Sequence, residues 1–169
     1  MAGRRRALLA AVAMAGLFLA GGPGAAEEWG AIEPGVTTAE QVRARYGAPS
    51  KETRGKADGY DIMQWVYEGA QAPGGIQKMT VDYGLLTPQG FKPTLVRVLR
   101  LEPKAKVFGR NTVIQAWGVP DGITQQNELD TFFYKTGLLV NFDKEGDEAA
   151  LLTFTPPQPD APPPAAPKR

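Results

Sequence analysis

Between Ile32 and Pro156 the chain passes twice through one order of features, and this duplication limits its architecture more than any other property. The first pass carries Val42 and then Tyr46-Gly47-Ala48-Pro49. The second carries Val113 and then Trp117-Gly118-Val119-Pro120, at the same internal spacing. Aromatic runs come next, Trp65-Val66-Tyr67 and Phe132-Phe133-Tyr134. Alternating runs follow, with Met79, Val81 and Tyr83 matched by Leu138, Val140 and Phe142. A third apolar stretch ends each pass, Leu95 to Leu101 and Ala149 to Phe154, with proline beyond it at Pro103 and Pro156.

Local physics predicts one helix and three strands per copy. Thr37-Thr38-Ala39-Glu40-Gln41 holds two overlapping capping boxes, Thr37 with Glu40 and Thr38 with Gln41. Ala39, Val42 and Tyr46 then share a helical face, Gly47 suits the left-handed stop, and Pro49 prevents resumption. The second helix is shorter, with Asn111 near its start and Gly118-Pro120 closing it. After each helix the apolar period changes to two, which places Met63, Trp65 and Tyr67 on one strand face. The predicted fold class is α+β: two tandem helix-plus-three-stranded-antiparallel-sheet units, each a two-layer sandwich with one sheet face open. The predicted boundaries are a signal peptide over 1–26, a first repeat over 27–103, a second over 104–156 and a tail over 157–169. Gly69–Gly75 and Gly84–Pro93 read as long connections, and Asp143–Gly146 as a tight hairpin turn.

The ends of the chain set the expected compartment. Arg4, Arg5 and Arg6 precede an uncharged apolar run from Ala7 to Ala20, too short to span a bilayer, and Gly24-Ala25-Ala26 offers a cleavage site after Ala26. Export to the periplasm or beyond is therefore expected; the paired arginines do not decide between the general secretory and twin-arginine routes. Leu19-Ala20-Gly21 resembles a lipoprotein box, but Gly22 stands where the lipidated cysteine belongs, and the chain has no cysteine. That excludes a lipid anchor and disulfides alike. The tail, with its many prolines and alanines, reads as an extended, disordered tether.

Charge and residue inventory narrow the function. The chain carries 19 Lys and Arg against 18 Asp and Glu, and the leader removes three arginines and no acid, leaving a mature net charge of −2. Charges of both signs are scattered, which is no footprint for nucleic acid. With no histidine and no cysteine, the commonest general base, the thiol nucleophile and the usual transition-metal ligands are all missing. The single serine, Ser50, precedes Lys51 without the spacing of a Ser-Lys dyad. Carboxylates remain at Glu27-Glu28, Glu128 and Asp130, and Asp143, Glu145, Asp147 and Glu148, where a glycosidase-like pair is the remote alternative. Asp143-Lys144-Glu145-Gly146-Asp147 lacks the full ligand set of a calcium loop and reads as a solvated turn. No catalytic, cofactor or metal residue is assigned. Tyr46 and Trp117, each one turn after a core valine, read as core aromatics.

Glu33-Pro34-Gly35-Val36-Thr37-Thr38-Ala39-Glu40-Gln41-Val42, then Tyr46-Gly47-Ala48-Pro49, then Trp65-Val66-Tyr67, resembles the SmpA/OmlA (BamE-like) family of outer-membrane assembly proteins. That resemblance covers about Ile32 to Tyr83, and the second copy keeps Val113, Gly118, Pro120 and the strands. Two such units in tandem are similar in plan to the β-lactamase inhibitor protein. The resemblance implies this fold, no catalytic residue and a protein-binding mode of action through an open sheet surface. The family's lipidated cysteine and the inhibitor's disulfides have no counterpart here.

The expected function is thus a non-catalytic protein–protein interaction module of the cell envelope, without a cofactor and with an unidentified protein partner. An outer-membrane or cell-wall assembly accessory factor is the alternative. Candidate partner-binding residues are Leu85, Leu86 and Phe91, apolar side chains on a connection the repeat does not require, and Gln64, Lys78 and Thr80 on the open sheet face.

Overall fold

The structure is a computed structural model that describes residues 28–126 and 129–157. The leader with its cleavage site, the tail beyond Pro157, and the acids Glu27 and Glu128 lie outside the described residues. The first half runs α1 (Ala39–Tyr46), β1 (Lys51–Ala57), β2 (Tyr60–Glu68), β3 (Ile76–Thr87) and β4 (Gly90–Pro103). The second runs α2 (Arg110–Trp117), β5 (Gly122–Gln126), β6 (Leu129–Tyr134), β7 (Leu138–Phe142) and β8 (Ala149–Phe154). Among the described residues the strands form one antiparallel sheet in the order β1-β2-β3-β4-β8-β7-β6-β5.

This corrects the expected architecture of two three-stranded sandwiches. Each half has four strands, and the halves share a single eight-stranded sheet. The overlooked strands are β1, KETRGKA, and β5, GITQQ, which form the two outer edges. Neither alternates in hydrophobicity. Every residue of β1 from Lys51 to Lys56 is exposed, so no buried face imposes a period of two on it. The Gly84–Pro93 segment is also mostly strand, because β3 and β4 form one long hairpin that turns between Thr87 and Gly90.

Both helices lie on the same sheet face and bury a single core. One line of paired residues on that face reads Tyr67, Met79, Leu101, Leu152, Val140 and Phe132. A second reads Trp65, Val81, Leu99, Phe154, Leu138 and Tyr134. Val42 of α1 and Val113 of α2 join the same cluster. Each fully buried side chain of this size stabilises the fold by roughly 1.5–3 kcal/mol. Thr38 caps α1 with the Gln41 capping box, at 3.4 Å and 2.8 Å. Thr37 serves elsewhere, its hydroxyl accepting from the Glu33 N–H at 2.8 Å. Gly109, not Asn111, occupies the N-cap position of α2, without a side-chain cap.

The two halves repeat at atomic detail. Gly47 and Gly118 end the helices at φ 78° and 83°, a region glycine enters without strain. Tyr67 of β2 donates to the Gly47 carbonyl at 3.1 Å, and Tyr134 of β6 donates to the Gly118 carbonyl at 3.0 Å. These hydroxyls tie each helix end to its sheet. At each helix start, the chain bonds to the last strand of its own half, Val96 N–H to Thr37 O and Ala149 N–H to Phe108 O. The register makes Tyr67, Met79 and Leu101 the counterparts of Tyr134, Leu138 and Phe154. Across the seam Arg100 therefore pairs with its own counterpart, Thr153, flanked by Leu99 with Phe154 and Leu101 with Leu152. An internal two-fold relation passes through that pair.

Candidate functional site

The same alternation that points Trp65, Tyr67, Met79 and Val81 at the helices sends their neighbours to the opposite face. One register line crosses all eight strands there: Lys51, Val66, Thr80, Arg100, Thr153, Leu139, Phe133 and Gly122. No described element lies over this line, yet Val66 and Thr80 are each only 8% exposed, so neighbouring side chains crowd them. The β6–β7 end is apolar, with Phe133 and Leu139 half-buried, and the β2–β4 end is polar.

The polar end is ordered by a buried acid. Asp82 is 5% exposed. Its Oδ1 accepts from Gln64 Nε2 at 2.7 Å, and its Oδ2 pairs with Arg100 Nη1 at 2.9 Å. A carboxylate buried this far is tolerated because both of its oxygens have partners. Lys78 pairs with Glu102 at 3.1 Å across the β3–β4 ladder. In the second half, Asn141 Nδ2 donates to Thr131 Oγ1 at 2.9 Å.

Beside Asp82 the β4 strand bulges. Asp82 faces Val98 and Tyr83 faces Val96, which leaves Arg97 without a partner position. Arg97 lines a cavity of about 230 Å³ with Thr53, Gly55, Ile62, Gln64 and Asp82.

The expected binding residues fall into two groups. Gln64, Lys78 and Thr80 share the helix-free face, as the period of two requires. Leu85, Leu86 and Phe91 sit at the far end of the β3–β4 hairpin, where Leu86 and Phe91 are cross-strand partners. Leu85 lies near Gly35. Phe91 stacks on Tyr60 with ring centroids 4.5 Å apart and packs against Gly84, whose φ of 102° and missing side chain make room for it. Leu86 alone is largely exposed, at 64%. Asp82, Arg97, Arg100, Phe133 and Leu139 were not anticipated. Parity from Leu99 and Trp65 is signal enough for Arg100 and Val66, whereas the bulge that places Arg97 leaves no mark in the pattern.

Reactive side chains are engaged structurally. Ser50 donates to the Glu68 carbonyl at 3.1 Å and accepts from the Glu68 N–H at 2.9 Å, closing the end of β2. Asp143 Oδ1 accepts from the Asp147 and Glu148 N–H groups, which makes it the organiser of its turn. Asp130 pairs with Arg110 at 2.6 Å. Among the described residues, no group of three or more acids, histidines or cysteines is placed to hold a metal ion. On the helix face burial pushes the Tyr67 hydroxyl up to about 12 and raises Tyr46 and Tyr83 as well. The Arg54 guanidinium beside Glu52 holds that carboxyl below its usual range. Tyr46 and Trp117, expected as core, are half-buried at the helix ends. Tyr46 donates to Gly30 O at 2.7 Å and meets Trp29 and Tyr67; Trp117 meets Phe108 and Phe154.

No protein-family model matches the chain, and no curated protein matches it. A solved structure, that of a DUF4309 family protein (YjgB) from Bacillus subtilis subsp. subtilis str. 168, is similar at 12% identity and a TM-score of 0.48. The similarity covers 79% of this chain and 88% of that one. A likeness at this level bears on neither activity nor partner.

Proposed function

We propose that the chain is a non-catalytic protein-binding module of the bacterial cell envelope, exported by the leader over 1–26, and that it docks its partner on the helix-free sheet face. The observation that carries this reading is the extent and make-up of that face. Eight strands at ~4.8 Å spacing make a line ~34 Å long, which suits a protein interface of ~800 Å² per partner better than a small ligand. Its apolar end at Phe133 and Leu139 can bury area, and the Gln64–Asp82–Arg100 network presents groups already fixed in place, so little side-chain freedom is lost on binding. Gln64, Lys78 and Thr80 belong to this contact surface, and Leu86 extends it along the hairpin.

The test begins with capture from envelope extract on the immobilised mature chain. The captured protein is then purified and titrated by calorimetry against the mature chain, Leu139→Glu and Val119→Ser. Val119 is exposed beside α2, away from the face. The expected result is at least tenfold weaker binding for Leu139→Glu and unchanged binding for Val119→Ser. Equal affinity for all three would remove the face from the interaction. If the captured protein belongs to a membrane-bound assembly, the module is an accessory of that complex.

A further inference from the structure

Among the described residues the half-buried Arg97 has no acidic partner. Its Nε is shielded from solvent and meets no acceptor, and no carboxylate lies within ion-pair distance. The two oxygens of Asp82, the acid in the same cavity wall, are taken by Gln64 and Arg100. A sheltered cation is normally paired. Nor does the backbone demand arginine here. The second half bulges at the equivalent place, where Asn141 faces Leu151 and Phe142 faces Ala149, and the extra residue is Ala150. The bulge thus belongs to the fold, and the charge belongs to the first half alone.

We infer that this cavity receives a single carboxylate, an Asp or Glu side chain of the partner protein, which pairs with Arg97. The inference rests on the reading of this face as a binding surface and names the chemistry that the surface selects. A guanidinium presents a planar fork of donors that matches a carboxylate. At about 230 Å³, and open to solvent on the sheet face, the space readily admits a side-chain end group. The buried charge of Asp82 disfavours a phosphate dianion in the same wall. Gly55 keeps the cavity open, because no side chain projects there from β1 opposite Ile62.

The probe is N-acetylglutamate α-amide, which carries one carboxylate, followed by NMR through the Arg97 Nε–H signal of the mature chain at constant ionic strength. Arg97→Lys assigns the signal. Gly55→Val is the second variant; its backbone is ordinary extended strand and the nearest atom to an added Cβ is Ile62 Cγ1 at 3.8 Å, so it folds while filling the cavity. The expected result is a saturable shift, half-complete at roughly 10 mM, as a lone ion pair allows, that is lost in Gly55→Val and exceeds the response to inorganic phosphate. A shift that is linear in probe, matches that of exposed Arg45, or persists in Gly55→Val would overturn the inference. So would a purified partner that binds Arg97→Gln as tightly as the mature chain, an outcome that leaves the face itself in place as long as Leu139→Glu still weakens binding.

Discussion

Replacing Leu101 by alanine empties a fully buried position on the line that joins the two halves, between Met79 of β3 and Leu152 of β8. Deleting a buried leucine side chain costs about 3 kcal/mol, the lost transfer free energy plus the cavity left behind. If the shared sheet melts as one unit, the folded span of ~130 residues has an unfolding entropy of about 0.27 kcal/mol per kelvin. The whole transition then drops by about 11 °C. Were the halves to melt separately, each would carry about half that entropy; the first would fall by about 20 °C and the second would stay. Differential scanning calorimetry separates these outcomes through the number of transitions and the ratio of calorimetric to van't Hoff enthalpy. Two resolved transitions, with only one displaced by Leu101→Ala, would refute the argument that the β4–β8 seam makes one cooperative body. Leu86→Ala, at an exposed position, is the control and shifts the midpoint by no more than about 2 °C.

Tyr83→Phe removes a fully buried hydroxyl that meets no hydrogen-bond partner, so it stabilises the fold by about 1 kcal/mol, read as a higher urea midpoint at unchanged slope. Tyr67→Phe and Tyr134→Phe each strip a helix-end carbonyl of its donor and cost about 1 kcal/mol in the same assay, with similar losses because the two bonds are equivalent. The buried tyrosines also set an alkaline limit. The folded chain keeps these protons after the unfolded chain has released its own near pH 10, so unfolding sheds protons as pH rises. Stability is whole below pH 10 and falls between pH 10 and 12, as the midpoint temperature measured across that range shows.

Much of the helix-facing layer was legible because burial on one face imposes a period. Trp65, Tyr67, Met79, Val81 and Tyr83 declare β2 and β3, and their second-half counterparts declare β6 and β7. The edge strands were silent for the opposite reason: Lys51 to Lys56 contact solvent on both faces and obey no alternation. The fusion of the halves into one sheet left no local sign either. It depends on the closing strands of two repeats meeting each other, a pairing between residues about 50 positions apart. On the proposed binding surface, the shared face of Gln64, Lys78 and Thr80 follows from strand parity, but Arg97 depends on a bulge that shifts the phase of β4 by one residue. Gly84–Pro93 read as a connection because Gly84 and Pro93 look like loop punctuation, where the chain uses them within the β3–β4 hairpin.

The pairing of Arg100 with its own counterpart has a consequence for self-association. Two copies joined edge to edge through such a pair are related by a two-fold axis, so a free self-matching edge closes a dimer and is then used up. In this chain the two self-matching edges, β4 and β8, are consumed by each other within one molecule. The strands left outermost differ from them: β1 presents Lys51, Glu52, Arg54 and Lys56 to any approaching strand, and β5 is five residues long. Duplication with fusion thus turns what would be a dimer contact between separate copies into an internal seam of one molecule.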